Sequence, residues 1–148
     1  MTAAALLVID TNIVLDVFVF DDAAALPLRA ALEAGRARWI ATAAMRTELA
    51  RVLGYPQIAP RLAFYRLAAG DVLARFDAAV RELLPDAPRA AWVCKDADDQ
   101  KFIDLAVAHR AALLSKDRAV LALRKRLAQA GVRVAERFDA DGAAIRCA

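Results

Sequence analysis

The sequence predicts an α/β domain with a mainly parallel sheet. Short apolar runs alternate along the chain with longer helix-forming segments, and this alternation is typical of strands connected by helices. A chain of 148 residues is long enough to bury a core without disulfides or metal ions. Neither an internal repeat nor a low-complexity linker interrupts the pattern, so we expect residues 1–148 to form one domain.

Four apolar runs have the length of strands: Leu6–Ile9, Arg38–Ala41, Ala112–Leu114 and Val132–Ala135. The first run stops at Asp10 and is typical of a buried central strand. The run Val80–Leu84 is also compatible with a strand. Between that run and the next helix, Pro85–Lys95 holds two prolines and is expected to be a loop.

Helices are predicted in the segments between the strands. They cover Ala23–Gly35, Thr42 to about Leu53, Pro60–Arg75 with a break near Gly70–Asp71, Asp98–Arg110 and Arg118–Ala130. Gly35 and Gly54 are residues at which helices commonly end. Thr42 is expected to cap the second helix, because its hydroxyl can accept a hydrogen bond from a free amide of the first turn.

Composition excludes several classes of protein. A membrane-spanning helix needs about 20 consecutive apolar residues, far more than the longest uncharged stretches, Met1–Ile9 and Val52–Pro60, provide. We see no export signal, so Cys94 and Cys147 are expected to be reduced thiols in the cytoplasm. His109 is the single histidine of the sequence, which argues against a zinc site built from several histidines.

Positive charge is concentrated near the end of the chain. The formal net charge is +3, and between Arg110 and Arg137 the basic residues are opposed only by Asp117 and Glu136. Such a region favours a polyanionic partner. The residues offered as contacts to an RNA backbone are Arg124, Lys125 and Arg126. A solvated helix face explains the same charges equally well.

Two acidic residues follow predicted strands. Asp10 comes directly after the first strand, and Asp117 comes shortly after Ala112–Leu114. The carboxyl ends of parallel strands meet at one edge of the sheet, and ligands of open α/β sheets bind beyond that edge. We therefore expect the two carboxylates to face one crevice.

A third acid lies on the helix that follows Thr42. Met45, Leu49 and Val52 form an apolar stripe at helical spacing, and Glu48 lies within or beside it. A carboxylate that faces the interior is unfavourable unless another group pairs with it. The alternatives to a functional role are a salt bridge to Arg51, one turn further on, and a side chain that snorkels to the surface.

The fourth acid comes from an aspartate-rich segment. Asp96, Asp98 and Asp99 compete to cap the next helix, and we expect Asp98 to be the N-cap. Asp99 then lies in the first turn, on the side that carries the apolar residues of the helix. Asp104 points away from that side by helical geometry and is expected to face solvent.

Four acids near one sheet edge predict a metal site. Clustered carboxylates repel each other, and their pKa values rise without a cation. Mg²⁺ and Mn²⁺ are the ions that prefer oxygen ligands of this kind. Such ions polarise phosphoryl oxygens and lower the pKa of a bound water, so the pattern favours metal-assisted hydrolysis of a phosphodiester.

Four segments, in order, resemble the motifs of the PIN domain family. Val8–Asn12 is similar to its opening, in which an apolar strand leads into Asp-Thr-Asn. Thr47–Leu49 resembles the second acidic element, and Cys94–Phe102 the third element in a branch linked to toxin components. Leu114–Asp117 is similar to the fourth element. The sequence departs from the family at Ser115, where threonine is common, and at Arg110, where glycine is expected.

The resemblance implies a three-layer α/β/α sandwich and an endoribonuclease that depends on Mg²⁺ or Mn²⁺. It implies that the acidic and metal-binding positions are Asp10, Glu48, Asp99 and Asp117, with Asn12 and Ser115 as supporting polar residues. It also implies an RNA substrate, a toxin role with a protein antitoxin as partner, and a homodimer.

Two other functions remain open from the sequence. A haloacid-dehalogenase-type phosphatase also places an aspartate after its first strand, but it needs a second aspartate where this chain has Asn12. A non-enzymatic PIN-like binding module would use its acids structurally. RNA cleavage by the pure protein separates the module from the nuclease, and a covalent aspartyl-phosphate would identify the phosphatase.

Overall fold

A parallel sheet forms the centre of the protein. The computed structural model describes residues 5–20 and 22–138 in full, and the backbone of 145–146. In the described part of the chain, the strands of this sheet are β1 (Ala5–Ile9), β2 (Ala37–Trp39), β3 (Ala112–Leu114) and β4 (Val134–Ala135), in the order β2-β1-β3-β4. All three neighbouring pairs are parallel. The predicted mainly parallel sheet is confirmed.

Helices connect these strands. Those before β3 are α1 (Thr11–Phe18), α2 (Leu26–Glu33), α3 (Ala43–Leu53), α4 (Ala59–Phe64), α5 (Ala69–Val80) and α6 (Gln100–His109). Two short ones, α7 (Arg118–Leu121) and α8 (Arg124–Gln129), lie between β3 and β4. Short 3-10 turns precede α2 at Ala23–Ala25 and α6 at Ala97–Asp99. After β4, the strand β5 (Arg137–Phe138) pairs antiparallel with β6 (Ile145–Arg146).

The strand order explains the three layers. The connection from β1 to β2 runs in one direction along the sheet, and the connections from β2 to β3 and from β3 to β4 run in the other. Because crossovers between parallel strands are right-handed, helices of the two directions cover opposite faces. Accordingly, α2 packs on β2, while α6 packs on β1 and β3 and α8 packs on β4. The three-layer α/β/α fold is confirmed.

Apolar burial holds the layers together. Leu7, Val8, Leu113 and Val134 in the sheet are fully buried. Their neighbours on the helices include Ile103, which is equally inaccessible to solvent. Strands that are covered on both faces have continuous apolar runs rather than alternating ones, which is why these short runs could be recognised in the sequence.

Several predicted helix boundaries are confirmed. The Thr42 hydroxyl accepts a hydrogen bond from the Met45 amide at 3.4 Å, and α3 ends at Leu53, directly before Gly54. After α2 the chain passes through Gly35 at φ +74°, a backbone conformation that glycine adopts without steric cost.

Other predicted boundaries are wrong. The break in Pro60–Arg75 lies at residues 65–68, and Gly70 and Asp71 belong to the first turn of α5, where the Asp71 carboxylate accepts a hydrogen bond from the Ala68 amide at 2.8 Å. Val80 ends α5, and within the predicted strand Val80–Leu84 only Leu84 pairs, through a single bridge to Thr42. The hydrogen bond from the Ala68 amide to the Asp71 carboxylate starts α5 before Gly70, and the helix then continues through Val80, the first residue of the predicted strand.

Two predicted segments differ in other ways. The helix predicted at Arg118–Ala130 is divided into α7 and α8. Helix α1 was not predicted at all, because its many β-branched residues favour a strand. It forms because Ile13, Val14 and Val17 are buried in the helical conformation. In the described residues, no helix is long and apolar enough to span a bilayer.

Replacing Arg110 by glycine should stabilise the protein. Arg110 ends α6 in the left-handed conformation, with φ 50° and ψ 38°, which costs a residue with a Cβ atom roughly 1–2 kcal/mol. Glycine relieves this strain, but the greater flexibility of glycine in the unfolded chain offsets part of the benefit. We therefore expect the free energy of unfolding, measured with urea, to rise by about 0.5–1 kcal/mol. Arg126→Gly, inside α8, should instead lose about 1 kcal/mol. A loss of stability in Arg110→Gly would contradict the argument.

Candidate functional site

The candidate site lies at the carboxyl edge of the sheet between β1 and β3. The two strands are neighbours, and their connections leave in opposite directions. A crevice forms at such a point in open α/β sheets, and it is where ligands bind. The Asp10 amide donates to the Leu114 carbonyl at 2.9 Å, so the ends of β1 and β3 are joined at this edge.

Asp10 is held in a fixed orientation. Its side chain is buried, and its Oδ2 accepts a hydrogen bond of 2.6 Å from the hydroxyl of the fully buried Ser115. Burial raises the pKa of Asp10, and the charges of Glu48 and Asp117 raise it further, while the Ser115 hydrogen bond acts in the opposite direction. The site thus contains more negative charge than its surroundings compensate.

Ser115 also links Asp10 to Asp117. The Asp117 amide donates to the Ser115 Oγ at 3.1 Å. Asp117 caps α7, because its Oδ1 accepts a hydrogen bond of 2.8 Å from the Ala119 amide. The supporting position predicted for Ser115 therefore lies between the two acids that follow β1 and β3.

Asp99 is the least compensated of the four predicted acids. The residue is 7% exposed, and its buried Oδ2 has no hydrogen-bond partner among the described residues. Burial is the main cause that raises the pKa of Asp99 to about 7, followed by the charges of Asp10, Asp117 and Asp96 and by a hydrogen bond to Asp117 that favours the protonated carboxyl. An unpartnered buried oxygen of this kind is uncommon in folded proteins and is chemically suited to a cation.

Asp96 joins this group, although the sequence pattern indicated only a capping role for it. Carboxylate oxygens of Asp96, Asp99 and Asp117 lie within 4.8 Å of one another; we name these three residues the aspartate cluster. Asp96 also caps the 3-10 turn, accepting from the Asp98 amide at 3.0 Å. The expectation that Asp98 is the cap is therefore wrong, because the helix begins with a 3-10 turn rather than at Asp98.

Glu48 faces inward from α3, as its place in the apolar stripe predicts, but its partner differs. The Thr11 hydroxyl donates to its Oε2, and Lys101 Nζ lies 2.7 Å from its Oε1. Arg51, the alternative partner considered for Glu48, is exposed. The ion pair with Glu48 is formed by Lys101 instead. The contacts of Thr11 and Lys101 with Glu48 were not predicted. The sequence indicated them only through position, since Thr11 directly follows Asp10 and Lys101 lies two residues after Asp99.

A second set of hydrogen bonds fixes the segment before the aspartate cluster. Gln100 Oε1 accepts from the Cys94 amide at 2.7 Å, and its Nε2 donates to the Trp92 carbonyl and to Asp104, each at 2.9 Å. Asp104 also accepts from the Ala90 amide at 2.8 Å. The expectation that Asp104 faces solvent is wrong, because the loop that contains Ala90 and Trp92 packs against it and leaves it half-buried.

The remaining predicted residues lie outside this hydrogen-bonded group. Asn12 is exposed on the first turn of α1. Lys125 and Arg126 are exposed on α8, and Arg124 on the same helix is half-buried. Helices α7 and α8 connect the carboxyl edge of β3 to the start of β4. The three basic residues of α8 therefore come shortly after Asp117 in the sequence.

The arrangement is suited to a hard divalent cation. Its available ligands are carboxylate oxygens, the type that Mg²⁺ and Mn²⁺ prefer. The cation would compensate the charges that raise the pKa values of Asp10 and Asp99. It would also supply a partner for Asp99 Oδ2.

The chain is similar to a known protein family over most of its length. The family model of the PIN domain matches residues 6–119, a range that includes all four predicted acids. No curated protein matches the chain at a significant level. A match over most of the chain, together with the parallel sheet and its acidic edge, shows that the chain belongs to the PIN domain family.

Proposed function

We propose that this PIN domain protein is an endoribonuclease that needs Mg²⁺ or Mn²⁺ to hydrolyse RNA phosphodiester bonds. The nuclease-type fold supports hydrolysis. The observation that carries the proposal is the buried Asp99 oxygen beside Asp96 and Asp117, for which the described part of the chain supplies no hydrogen-bond partner. A structural salt-bridge network would have placed a cationic side chain on that oxygen.

The acidic residues have different roles in this proposal. Asp10, Glu48, Asp99 and Asp117 form the negative site, and Asp96 adds a further ligand at its exposed side. Asp99 and Asp117 hold the ion, since both lie in the aspartate cluster, directly before the first residues of α6 and α7. When bound, the ion polarises a phosphoryl oxygen and lowers the pKa of a water.

The residues around these acids keep them in place. Ser115 orients Asp10 through its hydroxyl, and Thr11 and Lys101 orient Glu48. Gln100 and Asp104 fix the loop that leads to Asp96. Asn12 is proposed to assist from the exposed rim of the site. Fixed acceptors of this kind lower the reorganisation needed as charge develops during the reaction.

The test is cleavage of single-stranded RNA by the pure protein. We expect endonucleolytic products with Mg²⁺ or Mn²⁺, none with EDTA, and recovery of activity when the metal is restored. A phosphate monoester serves as the control substrate. Its hydrolysis through an aspartyl-phosphate would favour the phosphatase, whereas binding of RNA without cleavage would favour the non-enzymatic module.

Basic residues on α8 are proposed to bind the RNA backbone. Each phosphate neutralised by Arg124, Lys125 or Arg126 makes binding more dependent on salt. Replacing all three by alanine should lower the slope of log affinity against log salt by about 0.7 for each phosphate of a single strand that is no longer neutralised. The slope is measured by fluorescence anisotropy with inactive protein. An unchanged slope would identify these residues as a solvated helix face.

We further propose that the nuclease is the toxin of a toxin–antitoxin pair and acts as a homodimer in the cytoplasm. The resemblance of residues 94–102 to the toxin-associated branch supports this role. A protein antitoxin could inhibit the enzyme by placing an arginine or lysine among the acids, where a cation is favoured. Light scattering tests the homodimer, and a neighbouring gene for a small DNA-binding protein would support the pair.

A further inference from the structure

The acids at the sheet edge differ in how their charge is compensated. Glu48 has donors on both carboxylate oxygens, Thr11 on Oε2 and Lys101 on Oε1. Asp99 instead keeps an oxygen without a partner in the described part of the chain. Glu48 is therefore already paired with a cation, while the salt bridges of the described residues place no cationic side chain on the aspartate cluster.

Lys101 is well placed to keep Glu48 in its position. Its side chain is 25% exposed, and that of Glu48 is only 10% exposed, so the 2.7 Å ion pair is largely shielded from water. Lys101 Nζ also donates to the Asp98 carbonyl, at the start of α6. The lysine thus joins α3 to the segment that carries Asp99.

We propose that Lys101 is a positioning residue that holds Glu48 beside the aspartate cluster and keeps its carboxylate from binding the metal ion directly. This inference rests on the proposed function. Each carboxylate oxygen can accept more than one hydrogen bond. Glu48 held in this way can still accept a hydrogen bond from a water or a substrate hydroxyl at the site.

The charge of Lys101 should also weaken metal binding. A positive charge near the site would repel the ion, and at effective dielectric constants between those of protein and water we expect this to change the affinity by about fivefold. Lys101→Met removes the charge and frees Glu48. We expect it to bind Mn²⁺ about fivefold more tightly, yet to cleave RNA more slowly at saturating Mn²⁺, because Glu48 is no longer held. A purely structural lysine would not produce this opposite pair of effects.

The experiment measures Mn²⁺ affinity by isothermal titration calorimetry, with RNA cleavage as a second readout. Lys101→Arg keeps the charge and should resemble the wild type in affinity. Glu48→Gln alone should bind Mn²⁺ about fivefold more weakly, because Lys101 is then unopposed. Equal or weaker Mn²⁺ binding by a folded Lys101→Met variant overturns the proposal.

A double variant decides the question even if Lys101→Met does not fold. Glu48→Gln with Lys101→Met leaves no unpaired charge at this position, and it should bind Mn²⁺ with nearly wild-type affinity. If Glu48 were a direct ligand, the double variant would lose at least about tenfold in affinity. Absence of Mn²⁺ binding by the wild type contradicts the proposed function and this role together, whereas normal wild-type binding with a large loss in the double variant contradicts the role of Lys101 alone.

Discussion

Asp99→Asn should abolish RNA cleavage and, without metal, make the protein more stable at neutral and alkaline pH. The pKa of Asp99 is about 7 in the folded chain, against an ordinary value of 3.8. Between these values the folded protein keeps a proton that the unfolded chain releases, so the stability of the wild type falls as the pH rises through this window. Asparagine has no proton to release and avoids this loss.

The size of the gain follows from the same shift. A pKa shift of one unit corresponds to about 1.4 kcal/mol of free energy. Partial hydration of the site makes the gain smaller than the free energy that corresponds to the whole shift of Asp99. We expect Asp99→Asn to exceed the wild type in free energy of unfolding by about 1–3 kcal/mol at pH 8 in EDTA. The difference should shrink towards pH 4, because near the ordinary value of 3.8 a large fraction of the unfolded chains also keeps the proton on Asp99.

Urea unfolding between pH 4 and pH 8, with and without Mn²⁺, measures this effect. Mn²⁺ should stabilise the wild type and have little effect on Asp99→Asn, because binding to the folded state alone adds stability. Asp98→Asn is the matched control, since this neighbouring residue is exposed and should retain cleavage. If Asp98→Asn is inactive and Asp99→Asn is active, the assignment is wrong by one residue.

Much of the site could be predicted because simple rules place its residues. Asp10 and Asp117 follow strands, and parallel strands bring their carboxyl ends to one edge. The inward direction of Glu48 follows from the helical period alone. In each case one element of regular structure determines where the side chain lies.

The parts that could not be predicted depend on irregular or long-range structure. Asp96 reaches Asp99 because the chain forms a 3-10 turn before α6, and the turn moves the cap from Asp98 to Asp96. Lys101 meets Glu48 across 53 positions of sequence, which no local pattern encodes. The strand-like sequence of α1 became helical because the core buries one of its faces.

Asp10→Asn should reduce RNA cleavage by at least about two to three orders of magnitude while the fold is retained. The loss is this large because Asp10 is one of the charges that favour the cation, and electrostatic groups of this kind contribute about 100- to 1000-fold each. The amide has nearly the same shape, and its oxygen can still accept the hydrogen bond from Ser115. Removing a charge from a group whose pKa is raised by burial should not weaken the metal-free protein.

Two matched variants make the Asp10→Asn prediction specific. Ser115→Ala removes the hydroxyl that orients Asp10, and loss of such a supporting group should lower metal affinity or activity by about 10- to 100-fold. Asp16→Asn changes another carboxylate of the same region, which pairs with Lys116, and should stay active. Cleavage rates with Mn²⁺ and urea unfolding are measured for all three. An Asp10→Asn protein that cleaves RNA at the normal rate would show that the reaction does not use the carboxyl edge of β1.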